Sequence, residues 1–179
     1  MIGLAYSPVI LYIFLESVRE QPRGERRKDR ISTLLLGAAL CLMVACPTLV
    51  FLSNGFPSQH LFFYLGIFIG IAGVWLRWKA MRTLGRFFSR NIGIQQEHRV
   101  IDTGFYRFIR HPGYLGTLIT FFGFALSTCW WPVVLINGCC FLIAYSYRMH
   151  VEEKMLIAFF GSAYRNYQSR TWRLIPLIY

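Results

Sequence analysis

Apolar and polar positions in this chain are segregated over the length of whole helices. Three windows, Met1–Leu15, Ile31–Leu76 and His111–Tyr147, contain no formally charged residue. A helix crossing the hydrocarbon core of a bilayer needs about 20 mostly apolar residues. Ile31–Leu76 spans 46 residues and breaks at Ser53-Asn54-Gly55-Phe56-Pro57-Ser58, a turn signal, so it holds two crossings. His111–Tyr147 spans 37 residues and breaks near Ser127-Thr128-Cys129-Trp130-Trp131-Pro132, whose tryptophan pair suits a membrane interface. Met1–Leu15 extends through Val18 as one more crossing, without the basic flank and small-residue cleavage site of a signal peptide. The pattern predicts an all-α integral membrane protein with five transmembrane helices, roughly 2–18, 31–52, 61–78, 113–127 and 133–149.

Charge turns this pattern into a topology. Of 179 residues, 55% are hydrophobic and 15% charged, with 19 basic against 8 acidic side chains for a net charge of +11. An ordinary globular domain is about 25% charged, so too few charges remain here to cover a water-soluble surface. The apolar content excludes disorder, and five cysteines, odd in number and mostly in apolar runs, exclude a disulfide-stapled framework. All the charges fall in three blocks, Glu16–Arg30, Arg77–Arg110 and Arg148–Arg173. These blocks follow spans one, three and five, which places them on one side of the membrane. The positive-inside rule makes that side cytosolic, with the N-terminus outside and the C-terminus inside. The net charge therefore reports orientation, and no nucleic-acid partner is expected. The first block reads as a solvated loop touching anionic lipid.

The second block is long for a loop and rich in apolar residues, among them Phe87-Phe88, Ile92, Ile94, Val100-Ile101 and Phe105-Tyr106. It ends in Arg110-His111-Pro112-Gly113-Tyr114-Leu115-Gly116. Pro112 suits the first turn of a helix, and the N–H groups and dipole of that turn favour an anion. Gly113 and Gly116 leave room for a ligand or a second helix. Span five should continue as helix past the membrane, since no Gly or Pro occurs from Phe141 to Phe160, and this puts Arg148 and Glu152 on one face at i and i+4. Spans four and five are antiparallel neighbours, so His111 and Tyr114 should lie within about 10 Å of Arg148 and Glu152. The segment Gln95–Tyr106 would cover them, forming a polar pocket at the membrane surface. The plainer reading is a capped membrane helix beside an ordinary helix ion pair. Leu156, Phe159-Phe160-Gly161, Tyr164 and Tyr167 suggest an amphipathic interfacial helix. The four histidines (His60, His98, His111, His150) lack a Cys or carboxylate cluster at ligand spacing, so no metal site is expected. Cys139-Cys140 reads as core packing.

These residues resemble the isoprenylcysteine carboxyl methyltransferase family and its phospholipid-methyltransferase relatives, membrane enzymes that use S-adenosylmethionine. The resemblance rests on His98-Arg99-Val100-Ile101 and Thr103-Gly104-Phe105-Tyr106, and on Arg110-His111-Pro112-Gly113-Tyr114-Leu115-Gly116. It continues through Arg148, Glu152-Glu153, Phe159-Phe160-Gly161, Tyr164, Tyr167 and Arg173-Leu174-Ile175-Pro176. It implies a membrane scaffold over residues 1–60 and a methyltransferase core over 61–179, within one domain. It also implies that Gln95, His98, Arg99, Val100, Ile101, Tyr106, His111, Pro112, Gly113 and Tyr114 hold S-adenosylmethionine, and the product S-adenosylhomocysteine after transfer. Arg148 and Glu152 match the catalytic end of the site. The expected acceptor is a membrane-partitioned carboxylate such as that of an isoprenylcysteine, on a lipid-like or prenylated partner. If the acceptor were an amine or thiol, Glu152 or His150 would have to help remove a proton. A nicotinamide-dependent, sterol-type membrane reductase has a similar C-terminal helical plan and remains the alternative activity. The site would face the cytosol, from the plasma or inner membrane in a prokaryote or the endoplasmic reticulum in a eukaryote. No oligomer is implied.

Overall fold

The computed structural model describes residues 2–18, 25–26, 30–57, 60–85, 93–94 and 100–178. These form helices α1 (Ile2–Val18), α2 (Arg30–Asn54), α3 (Leu61–Leu84), α4 (Pro112–Leu126), α5 (Trp131–Phe160) and α6 (Ser162–Ser169). A two-residue antiparallel ladder also pairs β1 (Glu25–Arg26) with β2 (Gly93–Ile94), joining the loops that follow α1 and α3. Each expected span coincides with a helix. The helices α2, α3 and α5 are long and apolar enough to cross a membrane. The 15 residues of α4 rise only about 22 Å, less than the roughly 30 Å of a hydrocarbon core. Lipid-facing character is plain on the outside of the bundle, where Leu34, Leu52 and Phe68 are each more than 70% exposed.

Two helices run further than the charge pattern suggests. The helix α3 continues to Leu84, where Gly85 turns the chain at φ 55°. The helix α5 continues to Phe160 as the absence of Gly and Pro predicts, and Gly161 (φ 57°) then breaks it from α6. The interfacial aromatic run is thus two pieces, with Tyr164 and Tyr167 buried on the short α6.

The helices α3 and α4 pack backbone to backbone. A Cβ added at Gly66 would sit 2.5 Å from the Gly123 carbonyl oxygen, and one at Gly116 would sit 2.7 Å from the Arg77 amide nitrogen. No residue larger than glycine fits at either point. Membrane helices gain little from hydrophobicity against lipid tails, so such close van der Waals contact is a principal source of their association.

Proline inside a helix removes the donor for the carbonyl four residues earlier. Two internal prolines have that loss made good by a side chain. Pro8 releases the Leu4 carbonyl, which accepts from Ser7 Oγ at 2.8 Å. Pro47 releases the Met43 carbonyl, which accepts from Asn137 Nδ2 on α5 at 3.1 Å. The same Nδ2 also reaches the Phe121 carbonyl at 3.2 Å, so buried Asn137 ties α2, α4 and α5 together. The core around it includes Met43, Phe63, Phe121, Phe124, Phe141 and Met149. Of the adjacent thiols, Cys140 packs against this core, whereas Cys139 faces outward instead of into it.

Candidate active site

The start of α4 is held by the C-terminal segment. Arg110 N–H donates to the Trp172 carbonyl (2.8 Å), Trp172 N–H to the Phe108 carbonyl (2.9 Å), and His111 N–H to the Arg173 carbonyl (3.2 Å). Residues 108–111 and 171–174 therefore run side by side, with Ile109 and Trp172 forming a parallel bridge. Pro112 then opens α4 as expected, and His111 lies at its N-cap position.

His111, Tyr114, Arg148 and Glu152 converge, as the antiparallel arrangement of spans four and five requires. Tyr114 O–H donates to Glu152 Oε2 at 2.7 Å. The same hydroxyl accepts from Arg148 Nε at 3.4 Å. The expected support of Arg148 by Glu152 thus runs through a phenol standing between them. Arg148 is buried and its Nη1 donates to Ser32 Oγ at 3.0 Å, bringing the first turn of α2 into the cluster. The His111 ring stacks on Tyr114 with centroids 5.4 Å apart and planes 13° from parallel. Its Nδ1 lies 4.0 Å from Glu152 Oε2. Glu152 keeps part of its side chain accessible (30%), so this carboxylate faces both the cluster and the outside.

Glu153 anchors the arrangement from behind. Its Oε1 accepts from Arg110 Nε at 2.8 Å and lies 3.1 Å from His111 Nε2, while Oε2 lies 3.2 Å from Arg173 Nε. Arg110 Nη1 also donates to the carbonyls of Gln168 and Thr171. One carboxylate thus links α5 to the pre-α4 segment and the C-terminal strap. Arg77 completes the surround: its Nη1 donates to the Gly113 carbonyl and to Thr117 Oγ1, both at 2.9 Å, and its Nε donates to Glu16 Oε1 at 2.7 Å.

Tyr106 is buried in a 3-10 turn (Gly104–Arg107), and its carbonyl accepts from Tyr167 O–H at 2.8 Å. Burial pushes the Tyr106 hydroxyl well above its ordinary range, and the Glu152 carboxylate adds to the effect. Burial also raises Tyr167, so its phenol stays a donor at any physiological pH. Val100 and Ile101 are half-buried at the entry to this turn. Gln95, His98 and Arg99 lie outside the described residues. His150 points outward from α5, and His60 caps α3 at the end remote from Arg77. Ser32, Arg77 and Glu16 do not stand out in the sequence as site residues, and Glu153 does so only through the family resemblance. A signal for Arg77 does exist: Gly66, Gly70, Gly73, Arg77 and Ala80 recur at steps of four and three, one helix face, so Arg77 shares the glycine seam.

The family model described as "Isoprenylcysteine carboxyl methyltransferase (ICMT) family" matches residues 65–158, more than half of the chain. The chain belongs to the isoprenylcysteine carboxyl methyltransferase family. It is 34% identical over 141 residues to the protein-S-isoprenylcysteine O-methyltransferase of Saccharomyces cerevisiae, covering 69% of this chain and 56% of that protein. It is 32% identical over 161 residues to a probable protein-S-isoprenylcysteine O-methyltransferase of Oryza sativa subsp. indica, covering 86% and 84%. The chain spans about half the length of the first relatives it matches, including 45% of the Tribolium castaneum protein. The solved structure of the eukaryotic intramembrane Ras methyltransferase of this family superposes with a TM-score of 0.58 at 21% identity, over 97% of this chain and 62% of that one. This family's fold is an intramembrane helical one, and the chain is an integral, multi-pass membrane protein.

Proposed function

We propose that this protein transfers a methyl group from S-adenosylmethionine to the carboxylate of an isoprenylcysteine-like, membrane-partitioned acceptor. The observation that carries the reading is the convergence of His111, Tyr114, Arg148 and Glu152 in a chain of this family.

The residues fit such a cofactor. A sulfonium and an α-ammonium are cations, and the cluster offers them the part-exposed Glu152 carboxylate beside the stacked His111 and Tyr114 rings. The first turn of α4 suits the cofactor's carboxylate. His111, Pro112, Gly113, Tyr114, Tyr106, Val100 and Ile101, with Gln95, His98 and Arg99, form the proposed binding set. When bound, S-adenosylmethionine would supply an electrophilic methyl group, to which the acceptor oxygen bonds in line as the carbon–sulfur bond breaks and S-adenosylhomocysteine leaves.

An acceptor carboxylate is ionised at neutral pH, so the protein need not remove a proton from it. Its task is placement, which supplies much of the rate of a displacement between two held reactants. Arg148 is the group to orient the acceptor carboxylate by a charge-assisted, fork-like contact. Tyr114 and Ser32 fix the angle of its guanidinium. Glu152 is held by Tyr114 and sets the local field. Burial of the cluster excludes water, which would otherwise weaken these contacts. In this reading five helices span the membrane with both basic loops and the cluster on the cytosolic face.

The test is radiolabelled methyl transfer by the purified protein in lipid, with prenylcysteine, phospholipid and amine acceptors side by side. Label should appear in an alkali-labile ester on prenylcysteine, and Arg148→Ala should abolish it. Transfer to an amine alone, or none with any acceptor, would overturn the assignment.

A further inference from the structure

The pair formed by Arg77 and Glu16 does something that orientation by charge does not require. Arg77 lies in α3, only 6% exposed, deep in the seam between α3 and α4. Its Nη2 is 2.6 Å from Glu16 Oε1 near the end of α1. The guanidinium sits 5.0 Å from the centre of the Tyr12 ring, one turn before Glu16. On the other side, Nη1 holds the Gly113 carbonyl and Thr117 Oγ1. Tyr12 closes the circuit, with its hydroxyl 3.4 Å from the same Thr117 Oγ1.

Each part of this arrangement constrains the next. A guanidinium in low dielectric needs a counter-ion, and Glu16 supplies it. With its charge matched, Arg77 has a planar fork of donors in fixed directions. One direction ends on Gly113, in the first turn of α4, and the next residue is Tyr114. The C-terminal strap fixes the backbone on the far side of that turn, at Arg110 and His111. The first turn of α4 is thereby gripped between the strap and Arg77, and His111 and Tyr114 lie within the grip.

We propose that Arg77 and Glu16 are positioning residues of the methyl-transfer site, so that α1 acts in cofactor binding through α3 and the Gly113 carbonyl. This rests on the methyltransferase reading above for the word cofactor, but the geometric claim can be tested without it. Lysine at position 77 keeps the charge opposite Glu16 but carries its three donors on one nitrogen, without the separated, fixed directions by which Nε and Nη2 meet Glu16 while Nη1 meets Gly113 and Thr117.

The experiment uses the full chain in nanodiscs, as wild type, Arg77→Lys, Glu16→Gln and Lys79→Gln; Lys79 is an exposed control on the same helix. Three quantities are measured: ligand-free melting temperature, affinity for S-adenosylhomocysteine, and hydrogen exchange in peptides covering 111–116 and 131–147. In Arg77→Lys and Glu16→Gln, exchange should rise in 111–116 and stay unchanged in 131–147. Affinity should weaken by about tenfold or more, as small misplacements in a site do. Lys79→Gln should match wild type throughout. A lowered melting temperature with wild-type affinity and wild-type exchange at 111–116 would overturn the proposal and leave a purely structural ion pair. A wild type that binds no S-adenosylhomocysteine would sink the methyltransferase reading instead, and the exchange data would still decide whether the pair fixes the turn.

Discussion

Tyr114 has a different job from the one its type suggests. An aromatic residue in the first turn of a membrane-interface helix usually marks the boundary between lipid and water. Here the ring packs between His111 and Tyr145 while the hydroxyl stands between Arg148 and Glu152. Removing only the oxygen separates these functions. Tyr114→Phe should keep its stacking and fold, yet leave Glu152 and Arg148 without their shared partner. The expected loss is about tenfold in kcat/KM, as for one charge-assisted hydrogen bond, seen in steady-state methyl transfer beside an unchanged melting temperature. Residues of this kind were legible because they occupy a short, distinctive string. Ser32 and Glu16 were not, since a serine at a helix start and a glutamate at a helix end beside a basic block are what any membrane-boundary segment contains. Their meaning lies in Arg148 and Arg77, which are 116 and 61 positions away. No periodicity along the chain carries such a pairing.

The elements were read more completely than their contacts. Runs without charge and the turn signals at Asn54 and Trp130 located the starts of α1 to α5 to within two residues. The sequence pattern also allowed α5 to leave the membrane as helix. The end of α3 came out longer than expected because charge marks where lipid stops, whereas a helix stops where a glycine, here Gly85, adopts a positive φ. The glycines of α3 were visible as single residues, but their role needed a facing helix. Gly66 and Gly123 lie across the seam from one another, each without room for a Cβ. Gly123→Leu should force α3 and α4 apart and cost about 1–3 kcal/mol or more. A fall in melting temperature with loss of activity checks this, whereas the same change at Gly138, where a Cβ would meet nothing within 4 Å, should leave both nearly intact. Asn137 makes the same point from the polar side. A lone amide in an apolar run signals little until Pro47 on another helix is seen to have freed the carbonyl it serves.

For the molecule as a whole, charge segregation points to five spans with the charges at one end, and labelling tests both the span count and the side on which the charges stand. The ladder between Glu25–Arg26 and Gly93–Ile94 brings the two basic loops together, in keeping with a single charged end of the bundle. On a cysteine-free background, Asn54→Cys should react with a membrane-impermeant maleimide in intact cells. Arg165→Cys should react only after permeabilisation. The opposite pattern would reverse the orientation derived from the positive-inside rule.

The C-terminal strap sets an order on how such a molecule comes into being. Residues 108–111 take their partners from residues 171–174, some sixty positions later in synthesis. Helices α1 to α4 are complete in the chain before the residues of the strap have been joined to it. The turn bearing His111, however, has no edge to lie against until Trp172 and Arg173 emerge. Formation of the helices and completion of the candidate site are therefore separate steps, and a chain cut after α5 would hold α1 to α5 yet lack the backbone partners of its His111 turn.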